Sequence, residues 1–88
     1  NSIVDENAEL YGYNVIGNNC HIKSGAKLTN CIIWDNVIIE DNVEMNDCII
    51  AHNSIIKEGI HLEDSTVISA GSVITSDSPM ALKKSPVL

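Results

Sequence analysis

The residues of this 88-residue chain that could carry chemistry are three cysteines and three histidines. Two of the cysteines, Cys31 and Cys48, lie in nearly identical segments, NCII (residues 30–33) and DCII (residues 47–50), which are seventeen residues apart. A repeated thiol pair could form a redox couple or bind a metal ion, because the thiolate is both nucleophile and metal ligand. A histidine could act as the general base of a transferase.

A six-residue repeat decides where these side chains point. In most repeat units the residue two positions before the large aliphatic is small. Asn or Gly often lies three positions after the aliphatic, where a sharp corner requires a left-handed backbone. The aliphatic residues recur every six residues, with two intervals of five: Val4, Leu10, Ile16, Ile22, Leu28, Ile33, Ile39, Met45, Ile50, Ile56, Leu62, Ile68 and Ile74. This pattern predicts an all-β fold, a left-handed parallel β-helix of about four triangular coils, and it does not fit the 3.6-residue period of an α-helix.

The two intervals of five shorten the same corner in two successive coils, from eighteen residues per coil to seventeen. Cys31 and Cys48 should then lie inside the β-helix, one above the other, about 4.8 Å apart, which is one strand spacing. A small inward position is sufficient reason for a cysteine. Because the three cysteines show no C-x-x-C spacing, the sequence favours reduced, buried thiols over a disulfide or a metal site.

The three histidines do not combine into a catalytic arrangement. His21 and His61 precede inward positions and should face outward, and His52 falls at a corner. Hexapeptide-repeat acyltransferases use a histidine to deprotonate the acceptor, usually beside a loop extruded from one corner, whereas two corners of this chain are shortened. No nucleophile, phosphate-binding loop or metal-ligand motif accompanies the histidines. We therefore expect no catalytic residue, no metal and no cofactor in this segment.

The three flat faces of such a β-helix differ in their outward residues. The first is polar and charged, and the second carries the alternating charges of Lys23, Glu40 and Lys57. Uncharged apolar patches often mark interfaces, and tryptophan is common at interface hot spots. Strand propensity explains outward Val and Ile but not a tryptophan among them. The third face is uncharged, and its outward residues are predicted to form an interface: Val15, Ile32, Trp34, Ile49, Ala51 and Val67.

Charge and chain organisation limit the possible partners and location. The net charge of −7 argues against binding to nucleic acid or to an anionic membrane, because both need clustered Lys and Arg. No apolar run approaches the roughly 18 residues of a membrane span, and no leader pattern is visible, so we expect a cytoplasmic protein. The chain lacks an initiator methionine and starts within the repeat, so we expect it to be part of a longer protein.

The repeat predicts two segments of unequal size. Residues 1–76 should form the β-helix, and residues 77–88 should form a tail in which the pattern is lost. Pro79 and Pro86 flank the sequence MALKK in this tail. The tail could form a short helix that caps the last coil, whose strand edges would otherwise be open, or it could be an irregular linker.

A resemblance to a known family covers roughly residues 1 to 75. The run CHIKSGAKLTNCIIWDNVIIEDNVEMNDCIIAHNSIIKEGIHLEDSTVIS (residues 20–69) resembles the C-terminal β-helix of sugar-phosphate nucleotidyltransferase-like proteins. These include mannose-1-phosphate guanylyltransferases, ADP-glucose pyrophosphorylases and subunits of eukaryotic translation initiation factor 2B. The shortened corners on either side of Ile33-Trp34 look closest to the epsilon subunits of that factor.

This resemblance implies a longer parent protein with activity outside the β-helix. A pyrophosphorylase-like domain would precede the β-helix, and in epsilon subunits a helical-repeat domain with guanine-nucleotide exchange activity would follow it. The β-helix would pair subunits and position the flanking domains. The family's active motifs lie elsewhere, so the resemblance assigns no catalytic residue to this segment.

Three functional hypotheses remain at this point. The first is a non-catalytic scaffold of an exchange-factor subunit, which contacts sister subunits or flanking domains within an oligomer. The second is the C-terminal oligomerisation or regulatory domain of a sugar-phosphate nucleotidyltransferase, such as mannose-1-phosphate guanylyltransferase. The third is an acyltransferase fragment, because ISAGSVITSDSP (residues 68–79) resembles the closing coil of those enzymes.

Overall fold

A computed structural model describes residues 2–62 and 65–76 of the chain. The described residues form thirteen strands of two or three residues, arranged in three parallel sheets. Sheet A contains β1 (Ile3–Val4), β4 (His21–Ile22), β7 (Ile38–Ile39), β10 (Ile55–Ile56) and β13 (Val73–Ile74). Sheet B contains β2 (Glu9–Tyr11), β5 (Lys27–Thr29), β8 (Glu44–Asn46) and β11 (His61–Leu62). Sheet C contains β3 (Val15–Ile16), β6 (Ile32–Ile33), β9 (Ile49–Ile50) and β12 (Val67–Ile68).

The chain visits the three sheets in the order A, B, C and then repeats the order, so each coil adds one strand to every sheet. Ile16 pairs with Ile33 and Ile33 with Ile50 in parallel register, as seventeen-residue coils require. The predicted left-handed parallel β-helix of about four coils is confirmed. Residues 77–88 lie outside the described residues, so the boundary at residue 76 and the choice between cap and linker stay predictions.

The inward aliphatic residues of the repeat form the core. In the second and third coils these side chains are almost completely buried, and each contributes roughly 1.5–3 kcal/mol relative to an exposed position. The same positions in the first coil are more open, with Val4 and Leu10 each 42% exposed, because no described coil lies over them. The buried residues of the repeat are Ile22, Leu28, Ile33, Ile39, Met45, Ile50, Ile56, Leu62, Ile68 and Ile74.

Left-handed backbone at the corners turns the chain from one sheet to the next. Asn30 and Asp47, with φ of 55° and 57°, occupy the two shortened corners only two residues after an inward aliphatic. Asn7, which the pattern also placed at a corner, is not among the described residues with positive φ. Corner residues predicted by the repeat and found with positive φ are Asn19, Gly25, Asn36, Asn42, Asn53, Gly59 and Gly71.

Asparagine side chains bridge the junction between the first coil and the shortened second coil, and Asn14 is one of them. Asn14 occupies an inward small position, and its Oδ1 accepts a hydrogen bond from the Cys31 backbone N–H at 2.8 Å. Its Nδ2 donates to the Tyr11 backbone oxygen at 2.9 Å. The amide therefore hydrogen-bonds backbone groups of both coils where their lengths differ.

Replacement of Gly59 by valine is expected to lower the free energy of unfolding by about 1–2 kcal/mol. Gly59 has a φ of +74°, and a Cβ built on it meets nothing within 4 Å, so the loss comes from backbone strain alone. Thermal unfolding should show a melting temperature lower by roughly 4–16 °C. Gly59→Asn is the matched control and should stay near the wild type, because asparagine already adopts this conformation at Asn42. Equal melting temperatures for the two variants would contradict the assigned corner.

Candidate functional site

The six residues predicted to form an interface lie together on the outer surface of sheet C. Val15, Ile32, Ile49 and Val67 are direct partners on adjacent strands, so they form one continuous column. Trp34 and Ala51 lie two residues after Ile32 and Ile49 and form part of the next column. We call these six residues the contact face. All of them are exposed or half-buried, and none is charged.

Trp34 projects from the contact face with little to shield it. Its side chain is 49% exposed, and the residues beside it in the same column, Gly17 and Ala51, are small. The Trp34 backbone N–H donates to Ile50 O at 3.0 Å, so the position is fixed by the sheet. Its ring stacks on His52 with 6.0 Å between ring centroids and 29° between the planes. A rigid backbone thus presents a half-exposed indole, the side chain most typical of interface hot spots.

Sequence reasoning placed His52 at a corner but did not predict its contact with Trp34. The signal that could have found it is the register. Ala51 follows Trp34 by seventeen residues, so the next residue, His52, lies at the diagonal position of the adjacent coil. Cross-strand diagonal neighbours are within reach of aromatic side chains.

A groove of about 370 Å³ runs beside Trp34. Gly17 lies at one wall of this groove, where no larger residue fits, since a Cβ at that position would collide with the Asp35 carboxylate and lie 2.9 Å from the Trp34 carbonyl carbon. Asp35 Oδ1 accepts a hydrogen bond from the Asn18 N–H at 2.9 Å, which holds the carboxylate at the rim. The lining residues come from three coils: Val15, Gly17, Ile32, Ile33, Trp34, Asp35, Asn36 and His52.

The ion pairs found among the described residues lie on the other two faces. On sheet A, Lys57 Nζ lies 3.4 Å from Glu40 Oε2, which is part of the predicted charge ladder. His21, which was predicted to face outward, is half-buried, and its Nε2 lies 3.0 Å from Asp5 Oδ1. Exposed pairs of this kind contribute at most about 1 kcal/mol. Among the described residues these pairs place charge on the other two faces, whereas the six residues of the contact face carry none.

The cysteines belong to the core. Cys20, Cys31 and Cys48 are buried free thiols, and the Ile32 N–H donates to Cys48 O at 2.9 Å, which places Cys31 and Cys48 on adjacent coils. The hydrogen bond with the Cys31 thiol and burial raise the pKa of Cys48. Cys48 Sγ also lies 3.3 Å from the Asn46 carbonyl oxygen, a contact that favours the protonated thiol. The described part of the chain holds no cluster of three or more His, Cys, Asp or Glu side chains suited to a metal ion.

Residues 2–62 and 65–76 contain no helix of the length and hydrophobicity needed to span a bilayer.

Comparison with known proteins gives one positive result. A family model described as the EIF2B subunit epsilon LbH domain matches residues 1–80. The matched range contains every described strand, from β1 to β13. No curated protein matches the chain.

Proposed function

The chain belongs to the EIF2B subunit epsilon LbH domain family, and from this membership we propose that it is a non-catalytic assembly domain of a guanine-nucleotide exchange factor subunit in translation initiation. The domain acts in the cytoplasm as a scaffold. It contacts sister subunits, or flanking domains of the parent protein, through the contact face. The observation that carries this proposal is the continuous uncharged column from Val15 to Val67 with the half-exposed Trp34 beside it.

The physical basis of the contact is a rigid apolar surface. Each strand of sheet C is hydrogen-bonded to its neighbours, and the inward residues of those strands are packed in the core. Binding of a partner therefore costs little backbone conformational entropy on this face. Most of the apolar area removed from water then contributes to affinity. The ion pairs Lys57–Glu40 and His21–Asp5 make the face of sheet A better suited to solvent.

The family match also bears on the choice among the three hypotheses. The description of the matching family names EIF2B subunit epsilon, and it names neither a sugar-nucleotide enzyme nor an acyltransferase. This favours the first hypothesis. Under this proposal nucleotide exchange is carried out by another part of the parent subunit. The β-helix supplies no group that touches the nucleotide.

Val67→Glu is expected to weaken the association of the parent subunit with its sister subunits by about tenfold or more, which corresponds to about 1.4 kcal/mol. The reason is that a carboxylate placed within an apolar interface loses its hydration without gaining a partner. Sedimentation velocity at several concentrations measures the change.

Val73→Glu is the matched control for this experiment. Val67 and Val73 are 51% and 52% exposed, both lie in two-residue strands, and only Val67 belongs to the contact face. The control should assemble like the wild type. Equal weakening by both variants, or by neither, would contradict the proposed role of the contact face.

A further inference from the structure

The groove beside Trp34 has a shape that suits one long side chain. Gly17 contributes no side chain on one side of Trp34, and Ala51 contributes only a methyl group on the other. Val15 and Ile32 supply apolar walls, and both are exposed at the surface. An extended aliphatic stem could therefore lie along these walls and bring its end to the indole of Trp34.

The indole determines what kind of end group is favourable. Trp34 is the chain's sole tryptophan, and tryptophan is the best aromatic partner for a cation. Its ring is already held by the stacked ring of His52. A planar cation can stack on such a surface, whereas a compact ammonium group cannot.

The rim of the groove supplies the matching negative charge. Asp35 is the only acidic residue among the lining residues, and the groove contains no Lys or Arg. The Asn18 N–H holds Asp35 Oδ1 at 2.9 Å, while Asp35 Oδ2 makes no hydrogen bond within residues 2–62 and 65–76. A carboxylate fixed through one oxygen and exposed at the other is a good acceptor for a guanidinium group.

From these three properties we infer that the groove binds an arginine side chain of the partner protein. The arginine stem packs on Val15 and Ile32, and the guanidinium group stacks on Trp34 and donates hydrogen bonds to Asp35. The chain's net charge of −7 adds a favourable long-range attraction to a basic partner surface. This inference rests on the proposed function, because it names the chemistry that the contact face recognises.

N-acetyl-arginine methylamide is the probe that tests this inference on the 88-residue chain. Titration should shift the amide resonances of Gly17 and Asn18 and change the fluorescence of Trp34, with saturation in the millimolar range expected for so small a ligand. The citrulline analogue has nearly the same shape without the charge. It should bind at least fivefold more weakly.

Asp35→Asn separates recognition from folding. Asparagine keeps an oxygen that can accept the Asn18 N–H, so the fold should be retained while arginine binding falls at least fivefold. Asp41→Asn removes the same charge from an exposed corner outside the groove, and it should leave arginine binding unchanged.

Three results would overturn the inference: no saturable shift with the arginine probe, equal binding of the arginine and citrulline probes, or equal effects of Asp35→Asn and Asp41→Asn. The comparison of Val67→Glu with Val73→Glu does not depend on arginine. If Val67→Glu weakens assembly more than Val73→Glu does, and any of these three results is also found, the arginine site is rejected while the contact face stays supported.

Discussion

Replacement of Ile39 by alanine is expected to lower the free energy of unfolding by about 3 kcal/mol, because it deletes buried methyl groups and leaves a cavity. Ile39 is completely buried in β7, with Ile22 and Ile56 as its register partners in the coils on either side. Neither neighbour can move far to fill the space, since each is held in its own coil. Chemical denaturation at equilibrium measures the change.

Ile38→Ala is the matched control, because Ile38 precedes Ile39 on the same strand and faces the outside. Its side chain is half-buried rather than buried, so a loss of about 1 kcal/mol or less is expected. A one-residue shift in register would exchange the inner and outer faces of the strand. Equal losses, or a larger loss for Ile38→Ala, would therefore contradict the observed register.

The period of the sequence was sufficient to predict the coils and their register. Large aliphatics that recur every six residues can all be buried if each side of a triangular coil is one strand that points one of them inward. The two intervals of five locate the shortened corners. The pairing of Val15, Ile32, Ile49 and Val67 follows directly from those intervals. The repeat alone therefore predicts which residues share the contact face.

The details of the groove could not be predicted in the same way. The stacking of Trp34 on His52 depends on side-chain rotamers that the repeat does not specify. The Asp35 carboxylate approaches Gly17 closely and accepts a hydrogen bond from the Asn18 N–H, which is a side-chain contact between adjacent coils. Periodicity identifies the face on which a residue lies, whereas these contacts depend on which side chains meet between adjacent coils.

The role of Asn14 in the fold could not be predicted from the repeat either. The repeat placed it at an inward small position, where the following coils have Cys31 and Cys48. Its role is to hydrogen-bond backbone groups at the step from an eighteen-residue to a seventeen-residue coil. That role depends on the mismatch between neighbouring coils, which is a property of their packing rather than of either repeat alone.

Trp34→Glu is expected to have the largest effect on assembly, a loss of about 2 kcal/mol or more, or roughly 30-fold in affinity. The change removes the most prominent apolar side chain of the contact face, and with it the aromatic surface on which a partner side chain would pack. Because Trp34 is half exposed and points outward, the melting temperature of the isolated domain should change little. Trp34→Phe keeps an aromatic ring at the position and should weaken assembly much less.

Sedimentation velocity of the parent subunit mixed with its sister subunits tests the contact face most directly. The wild type and Trp34→Phe should sediment as the assembled complex at concentrations where Trp34→Glu sediments mainly as separate components. A Trp34→Glu protein that is folded and still assembles at wild-type concentrations would contradict the proposal that sheet C forms the contact.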